Sequence, residues 1–266
     1  MHINKVSPQT GYLWIRQGFW LFKQNPFTFL MLVFLYIFVV QLSMFLPIIG
    51  FILILVLSPV FSVGFLTACQ KVIRKERVAP SVYISPLREL PSGVRKNLLK
   101  LGLIYTLLIL MLSVISSQFV DVEKLVPLLT ATQISAPDVL KEFYQAIVIG
   151  GILYIPISLL MWFSPQLVAW KGMTIAKALF GSIVACWMNR WAFMVYFCIW
   201  GLILVAIPLF LGAFFEAMNL SSVASYLISP ITMAALTVLY CSFFATWKSC
   251  FVDSSDIQAP TISAVA

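Results

Sequence analysis

Six stretches of the chain run through apolar residues almost without interruption: approximately Phe27–Phe45, Ile48–Gln70, Leu101–Phe119, Phe143–Trp170, Trp191–Phe215 and Leu220–Trp247. None of them holds an Asp, Glu, Lys, Arg or His. Crossing about 30 Å of hydrocarbon takes about 20 helical residues. The pattern therefore predicts an all-α, polytopic membrane protein with six transmembrane helices. A transmembrane β-barrel would alternate apolar and polar positions, and these runs do not. In the third span, each Leu, Ile, Val or Phe favours insertion by about 0.3–0.6 kcal/mol, so their sum exceeds the cost of one central Arg at about 3 kcal/mol. Composition agrees: 62% of the 266 residues are hydrophobic and 10% are charged, against about 25% charged in soluble domains.

The segments between the spans have a different period. In "GYLWIRQGFWLFKQNP" the residues Arg16, Gln17, Lys23 and Gln24 fall on one side of a helical wheel, and Trp14, Ile15, Gly18, Phe19 and Phe22 on the other. This reads as an interfacial amphipathic helix, its apolar side in the acyl boundary and its cations at anionic headgroups. "TIAKALFGSIVACWMNRW" places Ile175, Leu179, Ile183 and Cys186 on one face. Thr174, Ala178, Gly181 and Ala185 lie opposite, where small residues suggest contact with protein as much as with water; a second copy or another membrane protein is a candidate partner. "SPLRELPSGVRKNLLK" is more basic and is interrupted by Pro91. An Asn (Asn25, Asn97, Asn189) stands just before the first, third and fifth spans, and a Ser-Pro pair lies in the second, fourth and sixth. Together these markers predict a threefold helix-plus-hairpin repeat.

Charge orients the hairpins. Of 17 Lys and Arg residues only Lys124 and Lys141 fall in the alternate loops, beside the acids Asp121, Glu123, Asp138, Glu142 and Glu216. The positive-inside rule then places both termini and the loops around 71–100 and 171–190 in the cytoplasm. The net charge of +8 is thus a feature of topology and is not read as nucleic-acid binding. The expected organisation is a cytoplasmic segment at 1–26 carrying the first amphipathic helix, a six-helix domain at 27–247, and a disordered cytoplasmic tail at 248–266. The first apolar run is too long for the core of a cleavable leader and is expected to stay as an anchor. None of Cys69, Cys186, Cys198, Cys241 and Cys250 falls in an outer loop, so disulfides are not expected.

The pairs Ser58-Pro59, Ser164-Pro165 and Ser229-Pro230 are the candidate kink or cavity positions. A proline within a helix removes one hydrogen bond and clashes with the preceding turn. In a bilayer it survives where neighbouring helices, a hydroxyl or water take up the freed carbonyl. Each even-numbered span is therefore expected to kink and to turn its Ser-Pro pair toward protein, as packing devices or as the lining of a cavity like that of discontinuous transporter helices. Pro156 and Pro208 predict further bends.

Catalytic chemistry finds no support. The spans lack the ionisable residue typical of a coupled carrier, and the only histidine is His2. No nucleophile-base pair, metal-ligand spacing or phosphate-cradling Gly-rich loop is present, so no enzyme activity and no cofactor are expected. The tryptophans, mostly near span ends, read as an interfacial belt. The candidate contacts to anionic phospholipid headgroups are Arg16, Lys23, Arg74, Lys75, Arg95 and Lys96.

The succession Gly11, Trp14, Gly18, Leu21-Phe22 and Asn25-Pro26 before the first span resembles an uncharacterised family of proteobacterial six-span inner-membrane proteins. The resemblance implies six helices and an inner-membrane location, and it carries no catalytic residue. More distantly, the plan of interfacial helix plus hairpin is similar to the membrane domain fused to some glycerophosphodiester phosphodiesterases, whose catalytic part is absent here. Two functions remain in play: an accessory role in membrane or envelope organisation, and a passive permease, or subunit of one, for a neutral or amphiphilic solute.

Overall fold

The computed structural model describes residues 3–120, 136–218 and 220–251. No strand occurs among them. The helices are α1 (Thr10–Gln24), α2 (Pro26–Ser43), α3 (Pro47–Ile73), α4 (Ser85–Glu89), α5 (Ser92–Ser117), α6 (Ala136–Met161), α7 (Ser164–Lys171), α8 (Ile175–Met188), α9 (Arg190–Gly201), α10 (Ile207–Ala217) and α11 (Ser221–Phe251). Six segments are long and apolar enough to cross a membrane: Pro26–Ser43, Pro47–Ile73, Ser92–Ser117, Phe143–Lys171, Arg190–Ala217 and Tyr226–Phe251. Large apolar side chains stand exposed along them, including Phe27 at 85%, Phe45 at 83% and Phe210 at 70%. Patches of this extent mark a surface that meets lipid. Hydroxyls within the spans are satisfied locally: Thr67 donates to the Val63 carbonyl, Thr106 to Gly102, Ser113 to Ile109 and Thr237 to Met233. Such back-bonding hides a polar group inside its own helix.

The chain forms two compact units. One comprises Met1–Leu42, Phe61–Arg88 and Val184–Ala266; the other comprises Ser43–Val60 and Glu89–Ile183.

The first unit is built around α1, which packs on α9 and α11, while α10 also packs on α11. Gly11, Trp14, Ile15, Gly18 and Leu21, at helical spacing, are its buried stripe. The two glycines set the approach. A Cβ on Gly11 would collide with the carbonyl of Ala192, and one on Gly18 would lie 2.7 Å from Ser242 Cβ. The expectation that this side of the helix dips into lipid is therefore corrected: the side holding Trp14, Ile15 and Gly18 faces protein, and Phe19 is exposed on a flank. Trp14 also leaves the interfacial belt, since it is fully buried and its indole N–H donates to Ser249 Oγ at 2.9 Å.

In the second unit α5 packs against α6 and α7, and a Cβ on Gly102 would strike the carbonyl of Val56 in the first half of α3. Ser116 of α5 and Gly150 of α6 make a similar close pass, a Gly150 Cβ falling 2.9 Å from Ser116 Oγ. Small residues at such crossings are what allow helices to approach in lipid.

Setting Asn25 on Asn189 pairs Trp14 with Ala178, Gly18 with Ser182, Leu21 with Ala185 and Phe29 with Phe193, all of them buried. The first and third sequence units thus share a burial register. The second departs from it, because Asn97 lies inside α5 instead of between two helices.

Candidate functional site

The three Ser-Pro pairs occupy three different environments. In α3, Pro59 is buried and Ser58 half-buried within a helix that continues on both sides. In the fourth span the helix stops: α6 ends at Met161, α7 begins at Ser164, and Pro165 stands in its first turn, where a missing N–H costs nothing. In α11, Ser229 and Pro230 are both exposed, again inside a continuous helix, so this pair does not turn toward protein as expected. The side chain of Ser225, one turn earlier, lies outside the described residues. Pro156 is exposed within α6. Ahead of Pro208 the fifth span widens into a π-helical turn at Leu202–Ala206, an adjustment that absorbs a lost backbone bond.

The break between α6 and α7 is closed by side chains of its own unit. Ser164 Oγ donates to the Leu160 carbonyl. Ser182 of α8, fully buried, accepts from the Phe163 N–H at 3.0 Å and donates to the Leu159 carbonyl at 2.6 Å. One hydroxyl thus links a donor and an acceptor across the interruption. In the sequence pattern Ser182 belongs to neither face, and its only signal is a polar residue among Ala178, Gly181 and Ala185.

A second polar centre holds the N-terminal segment. Asn189, buried between α8 and α9, accepts from the Val6 N–H at 2.8 Å through Oδ1, and its Nδ2 donates to the carbonyls of Asn4 and Ala185, each at 3.0 Å. The Asn4 N–H donates to the Cys250 carbonyl at 3.0 Å. The chain start and the end of α11 therefore lie at the same end of the first unit. The remainder of the tail, 252–266, lies outside the described residues, as do Lys124 and the side chain of Lys141.

The basic segment after α3 is folded inward at one point. A short 3₁₀ turn, Pro80–Tyr83, buries Tyr83, whose hydroxyl donates to the Leu32 carbonyl at 2.9 Å. Its ring lies against Phe61 at 5.6 Å and near Tyr36 at 6.5 Å. Burial, with smaller contributions from Tyr240, Tyr36 and the thiols of Cys69 and Cys241, pushes the Tyr83 phenol well above its ordinary value. The fold thus favours the neutral phenol, and this stabilisation is complete below the unfolded value of about 10 and declines as pH rises past it. The contribution of Tyr83 to thermal stability in detergent is expected to be constant between pH 7 and 9 and to weaken above about pH 10. Tyr83→Phe should make the decline above pH 10 shallower while costing about 1 kcal/mol at neutral pH for the lost hydrogen bond.

Of the candidate lipid contacts, Arg16, Lys23, Arg74, Lys75 and Lys96 are exposed and Arg95 is half-buried. Arg16 and Lys23 stand one turn apart from the exposed Tyr12, Phe19 and Trp20 on the side of α1 away from α9 and α11. Lys75 has φ of +58°, in the left-handed region that favours glycine. It closes α3 in a Schellman arrangement, with Lys75 N–H on the Val72 carbonyl at 3.0 Å and Glu76 N–H on Lys71 at 2.9 Å. The same left-handed φ ends α7, where the residue is Gly172. Lys75→Gly is expected to raise stability by about 1 kcal/mol, measured by thermal unfolding.

Long apolar helices, apolar surfaces left exposed and hydroxyls turned onto their own backbones define an integral membrane protein of the six-span, all-α class. The chain is 36% identical to a probable inner membrane protein of Burkholderia thailandensis over 256 residues, covering 94% of each chain. It belongs to that family of inner-membrane proteins. No family model matches the chain, and no solved structure matches it.

Proposed function

We propose that this is a non-catalytic inner-membrane protein, with both termini cytoplasmic, that contributes to membrane organisation by holding anionic phospholipid at its cation-rich end. The observation that carries the reading is the outer side of α1. Its inner side is locked against α9 and α11 through Gly11 and Gly18, so Arg16 and Lys23, flanked by exposed Tyr12, Phe19 and Trp20, are carried on a fixed support. Aromatics at the headgroup level beside cations are the chemistry that selects anionic lipid. Lys75, exposed just past the end of α3, adds a cation to the same reading.

The permease alternative rests on the interrupted helix at α6–α7. There the Phe163 N–H and the carbonyls of Leu159 and Leu160 are satisfied by Ser182 and Ser164. Groups closed on one another in this way favour packing over solute binding.

The test is native mass spectrometry of the full chain, extracted in mild detergent and equilibrated with equal phosphatidylglycerol and phosphatidylcholine. Preferential retention of phosphatidylglycerol is expected, reduced roughly tenfold or more in an Arg16→Gln/Lys23→Gln variant, at about 1 kcal/mol per cation. Equal retention of the two lipids would refute the reading. Orientation is checked by lysine labelling of intact spheroplasts: Lys124 and Lys141 should react while Lys75 and Lys96 stay protected.

A further inference from the structure

At the junction of α8 and α9 three exposed side chains stand together. The Arg190 guanidinium lies 5.7 Å from the Trp187 ring and 5.6 Å from the Trp191 ring. Both indoles are more than half exposed, at 64% and 56%. Arg190 Nη1 donates to the Trp187 carbonyl at 3.3 Å, and no described acidic side chain pairs with it. Neither indole N–H has a partner among the described residues. The junction is fixed from beneath, because Asn189 is buried in the bonds described above and Ala192 and Phe193 are buried in the first turns of α9.

Arg190 is also the first residue of the fifth span. Met194 and Phe197, one and two turns further along the same side of α9, are exposed at 55% and 47%. A fixed cation with spare donors therefore sits at the head of an apolar stripe that runs into the span.

We infer that Trp187, Arg190 and Trp191 seat the phosphate of one anionic phospholipid, whose acyl chain lies along Met194 and Phe197. This rests on the lipid-binding reading and places a discrete site at residues that reading did not use. The guanidinium is suited to phosphate because its donors are arranged in a planar fork. The two rings hold the fork's plane, and their N–H groups are free for the remaining phosphate or glycerol oxygens. The apolar stripe selects a lipid over free phosphate, which has nothing to place there.

The experiment uses the full chain in mild detergent, with short-chain phosphatidylglycerol titrated against tryptophan fluorescence and native mass spectrometry counting lipids retained. Arg190→Gln is expected to lose one retained phosphatidylglycerol and at least tenfold in affinity. Arg190→Lys, which keeps the charge but not the fork, should lose several-fold. Trp187→Phe, which keeps the ring but not the N–H, should show a smaller loss, with its unfolding temperature serving as the check on folding. Competition by millimolar inorganic phosphate as effective as that by the lipid would overturn the assignment to a lipid. If Arg190→Gln binds as the parent does while Arg16→Gln/Lys23→Gln loses lipid, the site is wrong and the broader reading stands. If the parent shows no preference for phosphatidylglycerol, the broader reading itself fails.

Discussion

Asn189→Ala is expected to release the N-terminal segment and to lower stability by about 2–4 kcal/mol. The side chain is 2% exposed and makes bonds to the Val6 N–H and to the carbonyls of Asn4 and Ala185. Truncation takes the side-chain partner from the Val6 N–H and the Asn4 carbonyl, part-buried groups, and from the Ala185 carbonyl, and each such bond is worth about 0.5–1.5 kcal/mol. Part of that is recovered as the segment lifts away and hydrates, so the effect should be local. Hydrogen exchange at Val6 should accelerate by orders of magnitude while the amides of α11 remain protected. Unchanged exchange at Val6 would show that Asn189 is not the clasp. The Asn4 N–H on the Cys250 carbonyl and Asn4 Nδ2 on the Ser249 carbonyl still tie the segment to α11, so exchange at Asn4 should rise less than that at Val6.

Gly18→Ala should cost about 1–3 kcal/mol and Gly18→Leu considerably more, without affecting insertion of the spans. An added Cβ would stand 2.7 Å from Ser242 Cβ and 2.9 Å from the Val238 carbonyl. The second of these is backbone of α11 and can yield only if α1 moves outward. Moving α1 would also stretch the bond from the Trp14 indole to Ser249 at 2.9 Å. Detergent-resistant folding and the apparent unfolding temperature report this directly. Combining Gly18→Ala with Ser242→Gly should restore only part of the loss. The Val238 carbonyl stays in place, and Tyr196 loses its 2.6 Å bond to Ser242 Oγ. Full recovery in the double variant would mean that the approach is governed by that one side chain and not by the backbone.

The spans were legible because insertion depends on a local sum over about 20 residues, whatever their neighbours. Their ends show where that sum stops being informative. The third span reads as starting at Leu101, yet α5 begins at Ser92, since Arg95, Lys96 and Lys100 are good helix formers that need no lipid around them. The amphipathic period of α1 was equally legible, but not what its apolar side touches. Gly11 and Gly18, seven residues apart on one side with Trp14 between them, were the available sign of a helix-helix contact, and the flanking cations outweighed it. In the sequence the Ser-Pro pairs look alike. In the structure one is buried in a continuous helix, one restarts a broken helix, and one is exposed, because the proline alone does not decide what surrounds it.

The same division holds for the candidate contacts. Arg16, Lys23, Arg74 and Lys75 could be picked out as cations near span ends. The left-handed backbone of Lys75 could not, nor could the gathering of Trp187 and Trp191 around Arg190. Side chains three and four positions apart on a helix are expected neighbours, but Asn189 breaks α8 from α9 between them, and only the folded junction fixes how the rings meet the guanidinium.

By itself the sequence determined the number of spans, the all-helical class and the sorting of cations among loops, because transfer of a segment into hydrocarbon is set by that segment's own residues. Tertiary structure alone decided that α1 is a packed helix, that Ser182 mends the gap after Met161 and that Asn189 ties down the chain start. Each of these joins atoms from separate helices, and inside a bilayer, where every neighbour is equally apolar, close fit and hydrogen-bond pairing select the partner.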